Sequence, residues 1–217
     1  MKIRGTGSYT DTSDRNHTIL GVGELPDDMN LKNLEVSGNL SFEKISCDKI
    51  SISGKCTGGS VCAQSLKISG TCEGDSITVK NFSASGKVEV DSLTAKKNLE
   101  IAGKPKIDFM TADEIFIETS NGFLGEVKCR KIKIFENSAR LREVMFGKNF
   151  VEHLSFNNSR VQINSIEAEI VDLENCAVEV VRCKDAFIGI NCTIEKLFVA
   201  GECKVSTDST VGEMIRT

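Results

Sequence analysis

The chain has few of the residues from which enzyme clefts and sugar-binding platforms are usually built. Its 217 residues include no tryptophan, one tyrosine, two prolines and two histidines. Tyr9 alone offers little surface for stacking a sugar ring. His17 falls in a predicted arm and His153 in a predicted insertion, so no Cys-His pair for nucleophilic catalysis can be assigned. We predict that both histidines are solvated and that the chain has no catalytic residues.

The chain also lacks a long apolar run and a strong charge of one sign. No segment approaches the roughly 20 apolar residues of a membrane helix, and the first 18 residues lack the apolar core of a signal peptide. The net charge of -4 has the wrong sign for nucleic-acid binding by bulk electrostatics. These observations predict a cytoplasmic protein that does not bind nucleic acid.

Cysteine is abundant, with nine residues, but no CxxC pair and no Cys/His cluster with metal-ligand spacing occurs. Without an export signal, we expect reduced thiols that pack as small apolar side chains. The glycine pairs at 5 and 7 and at 21 and 23 lack the third glycine of a dinucleotide-binding fingerprint. The sequence therefore predicts no metal and no cofactor.

What the sequence does contain is a repeat. The phrases LEVSG (34–38), ISISG (50–54), LKISG (66–70) and FSASG (82–86) recur at steps of 16 residues, and LEIAG (99–103) follows one residue late. Later copies keep the apolar alternation and lose the glycine. A fixed period of this length is typical of a solenoid, in which each unit buries its apolar face against its neighbours.

Aligning the copies gives two apolar columns separated by one mostly polar position. The first column is Leu34, Ile50, Leu66, Phe82, Leu99, Ile115, Ile132, Leu154, Val171, Ile188 and Cys203, and the second is Val36, Ile52, Ile68, Ala84, Ile101, Ile117, Ile134, Phe156, Leu173, Ile190 and Val205. Side chains alternate across a strand, so we expect both columns to face inward and the residues between them, Phe116 and Gly189 included, to face outward.

Each unit carries further apolar positions in the same rhythm. One series consists of Leu40, Cys56, Cys72 and Val88. A second consists of Ile45, Val61, Ile77, Leu93, Met110, Val127 and Val144. The residues two positions after those of the second series are also apolar or Cys, and the last two of them are Cys129 and Phe146. Three short strands in 16 to 17 residues predict an all-β, single-stranded parallel β-helix of about 11 windings. The six-residue rhythm of left-handed β-helices is absent, which favours the right-handed form.

Three irregularities divide the chain. We predict a flexible N-terminal arm over 1–17 and a β-helix over 18–217, whose segment 18–33 is an irregular cap winding. The step between Ile132 and Leu154 grows to 22 residues. The extra residues predict a corner insertion near 146–153. Loops on rigid scaffolds often carry function, so Phe146, Lys148, Phe150 and His153 are candidates for a partner-binding loop.

The repeated I-S-x-S-G and L-x-I-S-G phrases, over roughly residues 31–212, resemble the windings of the bactofilins, a family of bacterial cytoskeletal proteins. The resemblance implies a right-handed β-helix that joins end to end into non-polar filaments without nucleotide, often near the membrane. The match is one of pattern and assigns no individual functional residue.

A β-helix exposes unpaired backbone groups at both ends, and such edges pair with another chain unless they are capped. We therefore predict self-association through the end windings, at Leu34 and Val36 and at Val205, Val211 and Ile215. This predicts a scaffold or filament subunit that is not an enzyme. Other proteins and the inner membrane surface are further candidate partners. The alternatives are a binding module that does not polymerise and, with least support, a carbohydrate-active enzyme.

Overall fold

The computed structural model describes residues 2–8, 15–25, 29–136 and 160–217. These residues form nine parallel strands in one sheet, in the order β1-β2-β3-β4-β5-β6-β7-β9, with β8 also paired to β6. The strands are β1 (Lys2–Ser8), β2 (Asn16–Glu24), β3 (Met29–Glu118), β4 (Gly122–Phe135), β5 (Val161–Leu173), β6 (Cys176–Ile188), β7 (Thr193–Val199), β8 (Cys203–Val205) and β9 (Thr210–Arg216). The described part of the chain contains no helix.

The sheet coils on itself as a β-solenoid of about 10 turns, which confirms the predicted parallel β-helix. A regular winding has three short inward-facing segments, as at Leu34–Val36, Leu40–Phe42 and Ile45–Cys47, and each segment has an exposed residue between two buried ones. Three corners separate the segments. The handedness of the coil stays a prediction.

One corner of the first half is built from stacked glycines. Gly38, Gly54, Gly70, Gly86 and Gly103 all have φ between 127° and 146°. A Cβ on Gly70 would lie 2.1 Å from the carbonyl oxygen of Gly54 in the winding before it. Only glycine is comfortable at such a φ and so close to a neighbouring backbone. This explains why the Ser-Gly pair recurs with the period of the winding.

The N-terminal region differs from the prediction. Residues 2–8, assigned to a flexible arm, form β1 and pair with residues 18–24 of β2. Within β2, His17 pairs with Leu34 and Ile19 pairs with Val36. The segment from residue 18 is therefore a regular winding of the stack rather than a terminal cap. His17, predicted to be solvated, occupies an inward position and is only 2% exposed.

The long step after β4 was also misread. Ile132 pairs directly with Val171, and Ile134 with Leu173, so no winding lies between β4 and β5. β5 occupies the ladder positions next to β4, and Val127, for example, pairs with Ile166. Leu154 and Phe156, assigned to the two columns, and Val144 and Phe146, assigned to a third series, lie outside the described residues. The predicted insertion 146–153 also lies outside the described residues.

A second correction concerns the winding of β6. Val171 pairs with Ala186, and Leu173 with Ile188, so Ile188 belongs to the second column rather than the first. Ile190, predicted to face inward, lies in a turn and is exposed. Its neighbour Gly189 is in the same turn, and Phe187 is the outward residue. Here asparagine replaces glycine, since Asn175 and Asn191 have φ of 56° and 57°, a region that asparagine tolerates well.

Asn175, at the corner between β5 and β6, also connects several windings of the stack. Its buried side-chain amide donates a hydrogen bond of 3.0 Å to the carbonyl of Ser120, two windings away. Its carbonyl oxygen accepts a hydrogen bond from the amide of Val161. The Asn191 side chain in turn donates to Asn175 Oδ1. These hydrogen bonds join the corner at Ser120 to the corners at Asn175 and Asn191.

Candidate self-association surface

The last winding of the solenoid, built from β8 and β9, has no further winding against it within the described residues. β8 pairs with Ala186–Ile188 of β6, and β9 pairs with β7. The inward positions of this winding are Cys203, Val205, Val211 and Met214, since their partners Ala186, Ile188, Ile194 and Leu197 are all buried.

These inward side chains are much more exposed than the ones they stack on. Val205 is 38% exposed and Met214 is 45% exposed, whereas their partners Ile188 and Leu197 are 3% and 0% exposed. Val211 is half-buried and packs against the core from its edge. The end of the rod therefore presents an apolar surface next to a row of backbone groups with which no further strand of the described residues pairs.

Ile215, predicted as part of this end, lies elsewhere. It pairs with Phe198, which pairs with Arg182, and the guanidinium of Arg182 lies 4.6 Å from the Phe198 ring centroid. All three belong to an outward-facing ladder on the side of the rod. The sequence analysis missed Met214, which takes the inward position because a two-residue corner, 212–213, precedes it.

The predicted N-terminal contact residues are not at an end. Leu34 and Val36 are 1% and 4% exposed, because His17 and Ile19 of β2 cover them. The outermost described strand on that side is β1. The loop candidates Phe146, Lys148, Phe150 and His153 lie outside the described residues.

A groove runs along one corner of the N-terminal half. Its volume is about 1060 Å³, and its floor includes Gly58, Gly59 and Gly74. A Cβ on Gly58 would meet the ring of Phe42 at 2.5 Å, so this glycine makes room for that ring. Gly59 and Gly74 instead allow a close approach of the backbone, since a Cβ on either would lie 2.6 Å from a carbonyl oxygen of the winding before it. The sequence analysis did not identify this groove.

The groove is lined by carboxylates, and one wall is partly neutralised. The acidic side chains are Glu24, Glu43, Glu73, Asp75, Glu89 and Asp91. Lys55 and Lys87 pair with Glu73 at 2.9 and 3.8 Å, and Glu89 pairs with Lys87 and Lys106 at 2.6 Å each. Hydrogen bonds from Lys106 and then Lys87 lower the pKa of the Glu89 carboxyl to about 2. Asp75 and Asp91, on the exposed rim, have no ion pair with any described residue.

The basic stretch at 128–133 is held in surface ion pairs. Arg130 pairs with Asp113 at 2.8 Å and also with Glu114. Lys133 pairs with Asp172 at 2.7 Å. Nearby, the exposed ring of Phe116 lies 4.9 Å from that of Phe135. These charges are compensated within the rod, so they leave little free basic surface at this corner.

Five cysteines, including two stacked pairs, lie buried in the core. Cys56 and Cys72 are one winding apart, and so are Cys176 and Cys192; Cys47 is also buried. A thiol-thiol hydrogen bond and burial raise the pKa of Cys56 and, in the second pair, of Cys176. Cys129 is half-buried, and burial raises its pKa to about 12. Because the thiolate is the reactive form, Cys56, Cys176 and Cys129 are poor nucleophiles at neutral pH.

No group of three or more His, Cys, Asp or Glu residues that could hold a metal ion occurs in the described ranges. No described segment is a helix of the length and hydropathy needed to cross a membrane. Comparisons of the chain with family profiles, curated proteins and solved structures found no significant match.

Proposed function

We propose that the protein is a structural subunit that associates end to end through the C-terminal winding. The observation that carries this proposal is the exposure of Val205 and Met214 at inward positions, directly over the fully buried column below them. A second solenoid end placed there would continue both the apolar column and the hydrogen-bonded ladder.

The simplest contact joins two C-terminal ends around a two-fold axis. Such an interface uses the same surface on both copies, and the facing strands of β9 would run antiparallel, which is a favourable pairing geometry. The product is at least a dimer. Contact through β1 at the opposite end would extend it to a filament with no polarity.

The resemblance of the repeated phrases to bactofilin windings supports this proposal from the sequence side. It favours a cytoskeletal scaffold that assembles without nucleotide, in the cytoplasm or at the inner membrane surface. The alternative is a binding module that does not polymerise, and the acidic groove is the observation that favours it.

Sedimentation of the wild type against three variants tests the end contact. Met214→Asp and Val205→Asp each place a charge in the apolar end and should give smaller assemblies. Thr210→Asp adds the same charge at an outward position of β9 and is the matched control, which should sediment like the wild type. Circular dichroism checks that each variant is folded. A monomeric wild type, unchanged by any of the three substitutions, would refute the end contact.

A further inference from the structure

Two corners of the solenoid carry opposite charges at the same height along the rod. Asp75 and Asp91 lie on the rim of the acidic groove, one winding apart. Lys80 and Lys96 lie at the next corner along the chain, also one winding apart, and Lys97 follows directly. All five side chains are exposed. We call Lys80, Lys96 and Lys97 the lysine ridge.

The two corners are the two ends of the same short strands. The buried pair Ile77 and Val79 lies between Asp75 and Lys80, and the buried pair Leu93 and Ala95 lies between Asp91 and Lys96. Five residues of extended chain span about 16 Å, so the acidic rim and the lysine ridge of one rod are too far apart to pair with each other.

The spacing of the charges is the same at both corners. Successive windings of a parallel sheet are about 4.8 Å apart, so the two aspartates are separated along the rod by the same distance as the two lysines. A second rod, displaced sideways along the direction of these strands, brings its lysine ridge against the acidic rim of the first. Both aspartates can then pair with lysines of the second rod at once, without a shift of either rod along its axis.

The charges at these corners are not used within the rod. Among the described residues, no ion pair involves Lys80, Lys96, Lys97, Asp75 or Asp91. The neighbouring lysines and carboxylates of the groove wall, by contrast, are paired with each other. The groove beside this rim has a volume of about 1060 Å³, which leaves room for the lysine stems of a second rod.

We propose that the acidic groove is a lateral docking surface for the lysine ridge of a second copy of this chain. The two surfaces differ, so the contact is heterologous, and because successive rods are related by a sideways translation the assembly does not close into a ring. Rods would add side by side into a flat row in the same orientation. This contact is separate from the proposed end contact and does not depend on it.

Zero-length carbodiimide coupling tests the contact even if it is weak. An equal mixture of ¹⁴N- and ¹⁵N-labelled wild-type protein is coupled at low salt and digested, and mixed-isotope peptides identify cross-links between copies. We expect Asp75 and Asp91 to couple to Lys80, Lys96 or Lys97 of the other isotope. The Glu89–Lys106 pair, 2.6 Å apart within one rod, is the internal control for the reagent.

Salt and charge reversal sharpen the test. Screening should lower the yield of these cross-links several-fold at 0.5 M salt, where the Debye length is about 4 Å. The triple variant Lys80→Glu/Lys96→Glu/Lys97→Glu and the double variant Asp75→Lys/Asp91→Lys should each, on its own, give no cross-link between the two corners. An equal mixture of the two variants, with one labelled, should link them again, because each supplies the surface that the other lacks.

The outcomes separate this proposal from the end contact. Cross-links that persist in the Met214→Asp variant show that the lateral contact needs no end contact. If Glu89 couples to Lys106 while no mixed-isotope link joins the two corners, the lateral proposal is refuted, whatever the sedimentation results show. Mixed-isotope links scattered over other lysines would refute it equally, since they report random encounters.

Discussion

Replacing one glycine of the stacked corner tests how the windings are held together. In Gly70→Ala the new Cβ would lie 2.1 Å from the carbonyl oxygen of Gly54, well inside van der Waals contact, and the backbone φ of 132° is one that residues with a side chain rarely adopt. The neighbour is backbone rather than a flexible side chain, so relief requires the two windings to separate at this corner.

The expected magnitude follows from two opposing terms. Holding a residue with a side chain in this region costs about 1–3 kcal/mol, and the clash adds to that. The lower entropy of alanine in the unfolded chain returns about 0.4–1 kcal/mol. We expect Gly70→Ala to lower the free energy of unfolding by about 3 kcal/mol. Urea denaturation followed by circular dichroism measures it.

The control is Ser69→Ala, one residue away at an exposed position of ordinary conformation. This variant should stay within about 0.5 kcal/mol of the wild type, as most surface substitutions do. Equal stabilities for Gly70→Ala and Ser69→Ala would show that the glycine stack does not constrain the windings, and would refute the account of the Ser-Gly repeat given above.

Three further predictions test the register, the thiols and the groove charges. Ile68→Asp buries a charge in a central winding and should prevent folding, as judged by circular dichroism. Lys67→Asp lies on the outward side and should be tolerated. Similar behaviour of the two variants would contradict the register. In the native protein a thiol reagent should label the exposed Cys62 first and the buried Cys47, Cys56, Cys72, Cys176 and Cys192 only after denaturant is added, and rapid labelling of these five would be incompatible with the core described here. The Glu89 carboxyl should titrate near pH 2 by NMR, and Lys106→Gln should raise its pKa. Because the folded-state pKa is lowered, the contribution of Glu89 to stability is present above about pH 4.5 and is lost as the pH falls towards 2. An ordinary pKa for Glu89 would contradict the ion pairs.

The first half of the fold could be predicted from the sequence because glycine marks every winding. Each Ser-Gly pair fixes one corner, and the alternation between corners then fixes which side chains face inward. In the second half, the glycine is gone and alternation alone remains. A shift of two residues leaves an alternating pattern unchanged, which is why Ile188 and Ile190 were assigned where Ala186 and Ile188 lie.

The long step at Ile132 failed for a different reason. Strand pairing depends on which segment reaches the open edge of β4, and the local pattern of Leu154 and Phe156 does not reveal that β5 occupies it. His17 was missed because HTILG (17–21) has a polar residue where the later phrases begin with an apolar one, although Gly21 lies 17 residues before Gly38 and stacks on it. The groove was missed because nothing in the sequence indicates that Gly58 makes room for the ring of Phe42 in the winding before it.

The direct pairing of β4 with β5 has a consequence for how the chain can be lengthened. Lys133 and its partner Asp172 are 39 residues apart, whereas partners in regular windings are 16 or 17 residues apart. Loop-closure entropy grows only with the logarithm of length, so the longer connection costs about 0.7 kcal/mol more than a regular winding. A change in the length of the chain between Glu136 and Arg160 should therefore cost little, while the ladder on both sides keeps its partners.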